Sequence, residues 1–317
     1  MEWFIVFFLL FALLIGIGVP VQTAVNSRLR SYVLSPFVAS LISFTVGMTF
    51  LGIATLLTKG TLLFPASLVT EEPAWLWIGG LLGVIGLTGN ILLFPKLGGV
   101  QTVLLPIMGQ IIASMLIDTF GLFNSLQQPF TVMRGVGVLI LVVGLICIVV
   151  LPDVLNRRKR GMPAETQGSK LPFQLFGILA GMMMATQAPI NGHLGSVLHS
   201  PIHAAFISFT VGMIILLLIV TLGLRKLPNV KLAFGQGRPW WILTGGLIGS
   251  IFVLGMATLV PIVGTGLVVI VGLFGQILCS MMIDQFGLLG AKKTSVTGIQ
   301  LLGILLMIIG VILIEVF

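Results

Sequence analysis

The sequence predicts an all-α integral membrane protein. It is expected to hold ten transmembrane helices in two inverted five-helix repeats, over 1–151 and 173–317, joined by a cytoplasmic basic linker over 152–172. Three observations carry this. The chain is 57% hydrophobic and 8% charged, with a mean hydropathy of +1.21, whereas soluble domains carry about 25% charged residues. The apolar runs are continuous and about 20 residues long, the length a helix needs to cross hydrocarbon, and lack the alternation of barrel strands. Finally, the chain nearly repeats itself. Gln22-Thr-Ala-Val-Asn26, Ser35-Pro36 and Ser43-Phe-Thr-Val-Gly-Met48 return 165 residues later as Gln187-Ala-Pro-Ile-Asn191, Ser200-Pro201 and Ser208-Phe-Thr-Val-Gly-Met213. At an offset of 166, Gly79-Gly80, Gly83, Pro95 and the Gly109–Gly121 segment return as Gly245-Gly246, Gly249, Pro261 and the Gly275–Gly287 segment. A repeat this long is half of a fold rather than a solenoid unit.

The runs place helices at 3–27, 36–58, 74–95, 99–119 and 132–151, then at 173–194, 201–223, 240–260, 264–285 and 296–316. The first resembles a signal-peptide core, but Glu2 stands where a basic flank belongs, and the segment aligns with 173–183; a retained helix is expected. Pro20 and Pro189 fall inside helices 1 and 6, where proline removes a backbone hydrogen bond; a kink that widens a cavity or serves as a hinge and plain structural accommodation are the two readings. Gly79–Gly83 and Gly245–Gly249 read as small-residue faces for close helix packing. Trp75, Trp77, Trp240 and Trp241 flank helices 3 and 8 as expected interfacial anchors. His193, His199 and His203 read as surface residues around the loop after helix 6.

Charge bias orients the chain. With the N-terminus outside, the loops after helices 1, 3, 5, 7 and 9 are cytoplasmic and hold 14 of the 16 basic residues, leaving only Lys59 and Arg134 outside. Both termini are then expected outside. Five helices per half is an odd number, so the similar halves insert upside down, the arrangement that lets one half take the other's conformation. The net charge of +8 is spread between apolar runs rather than gathered on one face, which excludes a nucleic-acid partner. Cys147 and Cys279 sit within apolar runs as buried thiols. No cysteine–histidine set has metal spacing and no phosphate loop appears, so no cofactor is expected.

Polar groups in hydrocarbon are costly and should face the bundle interior or water. Gln22 and Asn26, four apart, share one face of helix 1, and Gln187 and Asn191 repeat it on helix 6. Amides both donate and accept, so two such pairs are candidates to line a central cavity and bind substrate; tying helices together is the plainer alternative. Asn26 and Asn191 are expected near helix ends. Gln110, Ser114 and Asp118, and equally Gln276, Ser280 and Asp284, form polar lines along helices 4 and 9. Asp118 and Asp284 are the acidic residues within the spans apart from Glu315 at the chain's end, and are candidates for proton coupling or gating. The other possibility is an interfacial cap or helix contact. Asn90 and Gln101 add polarity to the first half only, since Met256 and Leu267 occupy the matching places.

These residues resemble a known group. Ten helices in inverted halves are similar to the drug/metabolite transporter (DMT) superfamily, and the Gln-x-x-x-Asn, Ser-Pro and Ser-Phe-Thr-Val-Gly blocks resemble its YdcZ-like branch, in the fused ten-helix form. The resemblance implies a secondary transporter of the bacterial inner membrane, usually an exporter, with a cavity built from helices 1, 3, 4, 6, 8 and 9 and helices 5 and 10 as scaffold. Small multidrug relatives use a membrane glutamate in helix 1; this chain has amides there, which weighs against efflux of that kind.

The leading expectation is therefore export of a small polar or zwitterionic metabolite, in a monomer or homodimer within the bilayer, with protons as a potential partner. Drug or toxic-cation efflux and lipid or lipid-linked-sugar flipping are the rivals. An enzyme is not expected, because the spans offer no nucleophile–base pair or carboxylate dyad.

Overall fold

The structure, a computed structural model, describes residues 2–125, 127, 129–160, 170–235, 237–263, 265–291, 293 and 297–316. Every regular element among them is helical. Helix α1 is Glu2–Val33 and α2 is Pro36–Lys59. Helices α3, Gly79–Gly98, and α4, Val100–Phe120, meet at a break where Gly98 takes φ 82° and ψ 174°. Then come α5 Val132–Arg160, α6 Leu171–Val197, α7 Pro201–Leu218, α8 Gly245–Val263, α9 Thr265–Phe286 and α10 Gly298–Val316. Among the described residues six of these helices, α1–α4, α6 and α7, are long and apolar enough to cross a membrane, and α5, α8, α9 and α10 carry shorter apolar stretches.

Much of the repeated sequence is punctuation for these helices. Ser35 Oγ accepts from Val38 N–H at 3.4 Å and Ser200 Oγ from His203 N–H at 3.3 Å. Each serine thus caps a helix whose first residue is proline, a position where the missing N–H costs nothing. The residues before the caps, Leu34 and His199, both turn left-handed, with φ 57° and 49°. Gly121 and Gly287 close α4 and α9 at φ 62° and 66°, a conformation glycine adopts without penalty.

Several expected boundaries move. Helix α1 runs to Val33 rather than 27, because nothing breaks it before the Leu34 turn. Helices α3 and α8 begin at Gly79 and Gly245, later than 74 and 240, since Pro73 and Pro239 set up single 3₁₀ turns over Ala74–Trp77 and Trp240–Leu243. The linker expected over 152–172 is helical at both ends, with α5 continuing to Arg160 and α6 starting at Leu171; residues 161–169 lie outside the described ones. Pro20 and Pro189 are accommodated within continuous α1 and α6.

Glycines decide the packing. Along the α5–α10 seam Gly137 opposes Gly310 and Gly144 opposes Gly303. The order of the pairs makes the helices antiparallel. Leu141, Ile148, Met307 and Ile314 fill the positions between, each at most 2% exposed. The spacing Gly-x₃-Leu-x₂-Gly-x₃-Ile in α5 and Gly-x₃-Met-x₂-Gly-x₃-Ile in α10 is a heptad pattern whose holes are glycines. Helices α2 and α7 also cross antiparallel: the Phe44 and Phe209 rings lie 5.0 Å apart, and each covers the glycine of the other helix, Gly212 and Gly47. Gly16 meets the backbone of Gly272 between α1 and α9, as Gly181 meets that of Pro106 between α6 and α4. Threonine hydroxyls in these helices donate to carbonyls four residues back, as at Thr23, Thr45, Thr186, Thr210 and Thr258, which satisfies them where no water is at hand.

Candidate functional site

The two amide pairs dock on glycines of the opposite half. Asn26 and Gln22 of α1 press against Gly245 and Gly249 of α8, while Asn191 and Gln187 of α6 press against Gly79 and Gly83 of α3. A Cβ at any of the four glycines would collide with the amide facing it, so the close approach requires glycine there. Asn26 is fully buried and Asn191 4% exposed, although both were expected near helix ends; α1 and α6 carry on well past them. Gln22 and Gln187 are half-buried. The two amide faces thus lie on separate interfaces, α1–α8 and α6–α3.

Hydrogen bonding at these interfaces is incomplete. Asn26 Nδ2 donates to Ser43 Oγ at 3.2 Å, and Asn90 Nδ2 approaches the Met184 sulfur at 4.0 Å. Among the described residues, Asn26 Oδ1, Asn90 Oδ1, Asn191 Oδ1 and Ser208 Oγ are buried without a hydrogen-bond partner. A Cβ on Gly79 would fall 3.3 Å from Ser208 Oγ and closer still to Asn191 Oδ1, so these two oxygens converge on one glycine. Glycine Cα–H groups supply weak donors to such oxygens, leaving most of their accepting capacity unused. Buried polar atoms are nearly always paired, which makes this set unusual. The sequence repeat contained Ser43 and Ser208, but the Asn26–Ser43 bond and the placing of Ser208 beside Asn191 were not legible, because they depend on how α2 and α7 cross their neighbours.

The polar lines on α4 and α9 differ. Gln276, Ser280 and Asp284 are 4%, 1% and 5% exposed, whereas Gln110, Ser114 and Asp118 are half-buried. Asp284 Oδ2 accepts from the backbone N–H of Val100 at 2.8 Å. Val100 follows the Gly98 break, so a carboxylate of α9 caps the first turn of α4 across the halves, where the helix offers free N–H groups and positive potential. Asp118 sits in the last turn of α4, within electrostatic reach of the Arg134 guanidinium on α5; Arg134 is itself 4% exposed.

Sequence reasoning passed over Arg30. Its Nη1 donates to the carbonyl of Ile91 at 3.1 Å. Pro95, four residues on, has no N–H for that carbonyl, and this is the signal that could have pointed to it. The histidine reading needs one correction. His203 is 5% exposed and its Nε2 lies 3.1 Å from the Leu62 carbonyl, because the Ser200 cap turns it inward; His199 is exposed. A cavity of about 270 Å³ between α9 and α10 is lined by apolar side chains, among them Phe274, Ile277 and Ile308, and by none of the candidate residues. No group of metal-binding side chains occurs among the described residues.

With this geometry in place, comparison with known proteins defines the class. The family model described as "Putative inner membrane exporter, YdcZ" matches residues 7–147 and again residues 172–313. The chain belongs to this family of the DMT superfamily, and is a multi-pass inner-membrane protein of the transporter class. No curated protein matches it. A solved crystal structure of a protein aligns over 96% of this chain and 97% of its own at 15% identity and a TM-score of 0.56; that likeness concerns the fold.

Proposed function

We propose that the protein is a secondary transporter that exports a small polar or zwitterionic metabolite by alternating access between two inverted five-helix halves, 1–151 and 173–317. The observation that carries the substrate class is the set of unfilled acceptors, Asn26 Oδ1, Asn90 Oδ1, Asn191 Oδ1 and Ser208 Oγ. They suit a solute bearing ammonium or other N–H donors, and they offer no fixed negative charge that would favour a bare cation. In the present conformation the glycine faces of α3 and α8 close over Asn191, Ser208 and Asn26. Opening either interface uncovers one amide face and leaves the other shut, which is the logic of alternating access. The antiparallel pairing of the equivalent helices α2 with α7 and α5 with α10 supports the inverted arrangement.

Gln22, Gln187, Gln110 and Gln276 complete the substrate path in this reading. Asp118 and Asp284 serve as gates at opposite ends, with both termini outside. The test is transport by full-length protein in liposomes loaded with pooled labelled amino acids and other zwitterions, under a pH gradient and without one. Release of a zwitterion, lost in the Asn26→Ala/Asn191→Ala variant, is expected. Movement of lipophilic cations with no zwitterion released would overturn the proposal in favour of cation efflux.

A further inference from the structure

At one end of the molecule two arginines share one aromatic ring. The guanidinium of Arg28, near the end of α1, lies 5.2 Å from the Tyr32 ring centroid, and that of Arg238, before α8, lies 4.2 Å from it. Both arginines are exposed, and neither guanidinium has a hydrogen bond or ion pair among the described residues. Two guanidiniums gathered at one ring, with no carboxylate partner among the described residues, raise the local positive potential and favour an anion there. The Arg28 side chain also runs beside Gly290 in the turn after α9, with its Cδ 3.3 Å from where a Cβ would stand.

The α7–α8 connection adjoins the pair. Residues 224–240 hold Arg225, Lys226, Lys231 and Arg238 and no acidic residue. The equivalent α2–α3 connection holds Glu71 and Glu72 and no basic residue, Lys59 being the last residue of α2. The segment is anchored to the bundle: Asn229 Nδ2 donates to the Val33 carbonyl at 3.0 Å, and Ala233 is buried against the core cluster that holds Leu29 and Val33. Its other side is apolar and bare, with Phe234 67% and Trp240 79% exposed. Basic side chains interleaved with exposed aromatic ones fit the boundary where phospholipid headgroups meet acyl chains.

We propose that Arg28 and Arg238 form a binding site for the phosphate of an anionic phospholipid. The two guanidiniums hold the phosphate oxygens, Lys226 and Lys231 add to the local positive potential, and Phe234 and Trp240 lie along the lipid's glycerol and upper acyl chains. The site is separate from the amide faces and does not depend on the transport reading.

The test uses full-length protein in neutral detergent. It is titrated with phosphatidylglycerol or with phosphatidylcholine of the same acyl chains, and read by thermal unfolding and by lipid adducts in native mass spectrometry. A basic residue at an anionic surface contributes about fivefold in affinity. Phosphatidylglycerol should therefore bind about 25-fold more weakly to Arg28→Gln/Arg238→Gln than to the parent. The exposed single variant Arg238→Gln reports the same effect at about fivefold should the double variant not fold. Phosphatidylcholine binding should not change. Lys59→Gln, which removes a charge elsewhere, should keep the phosphatidylglycerol preference. Equal binding of the two lipids by the parent, or equal losses in Lys59→Gln and Arg238→Gln, would overturn the proposal. So would protection by glycerol 3-phosphate alone at matched concentration, which would assign the arginines to a soluble phosphate.

Discussion

Asn26 and Gly245 make one contact from two residues that lie in different halves of the chain. A methyl added at Gly245 forces the amide aside, and overpacking of this kind costs about 1–3 kcal/mol. Gly245→Ala should lower stability by that order in the parent and by much less in Asn26→Ala, where the methyl has room. Thermal melts of the four proteins in detergent form the double-mutant cycle; equal losses in both backgrounds would mean that the contact is not the cause. Asp284 allows a second test. Asp284→Ala removes the cap on Val100 and should cost about 1 kcal/mol, whereas Asn, itself a good cap residue, should cost only a few tenths. If Asp284 also gates or couples transport, Asp284→Asn will melt like the parent yet lose transport driven by a pH gradient. Retained transport would reduce the residue to a cap. The sequence displayed these residues through repetition and spacing, as polar groups on helix faces. It hid their partners, because Asn26 and Gly245, or Asp284 and Val100, meet only through the tertiary crossing of helices from opposite halves.

Elements were legible wherever local chemistry marks them. The Ser-Pro pairs cap α2 and α7 and the Phe-Gly pairs end α4 and α9, so those boundaries agree with the sequence reading to within a residue or two. The expected ends of α1 and α5 fell short because those helices continue beyond the apolar run into basic residues. Apolar length measures the membrane, while hydrogen bonding measures the helix. Helix α3 shows how a break is repaired. Pro95 deprives the Ile91 carbonyl of its donor and Arg30 replaces it from α1. Arg30→Leu should cost about 1–3 kcal/mol, the penalty of a buried unpaired carbonyl. In Pro95→Ala, which restores the N–H, the same substitution should cost less than half as much. The same loss in both backgrounds, measured by melting, would detach Arg30 from the proline.

At the scale of the whole molecule, each half presents glycines to the other's side chains. Gly79 and Gly83 receive Asn191 and Gln187, and Gly245 and Gly249 receive Asn26 and Gln22. Split between 160 and 170, the halves should find each other when co-expressed and purify as one complex. Each alone should aggregate, since its glycine faces and amides would be left without cover. A first half that is monodisperse and melts cooperatively by itself would contradict this. Here the doubled sequence was most informative, since it signalled two related units; which face of each meets the other needed the packed structure.

The seam between α5 and α10 carries one more consequence, about register. Its large side chains sit where the opposite helix has glycine, Leu141 beside Gly310 and Ile148 beside Gly303. A slip of one residue along the seam would drive those side chains into neighbours that carry a Cβ, and the backbones are too close to yield. The pair can swing as one rod but cannot shear. If the rest of the bundle opens first toward one face of the membrane and then toward the other, these two helices are its axle.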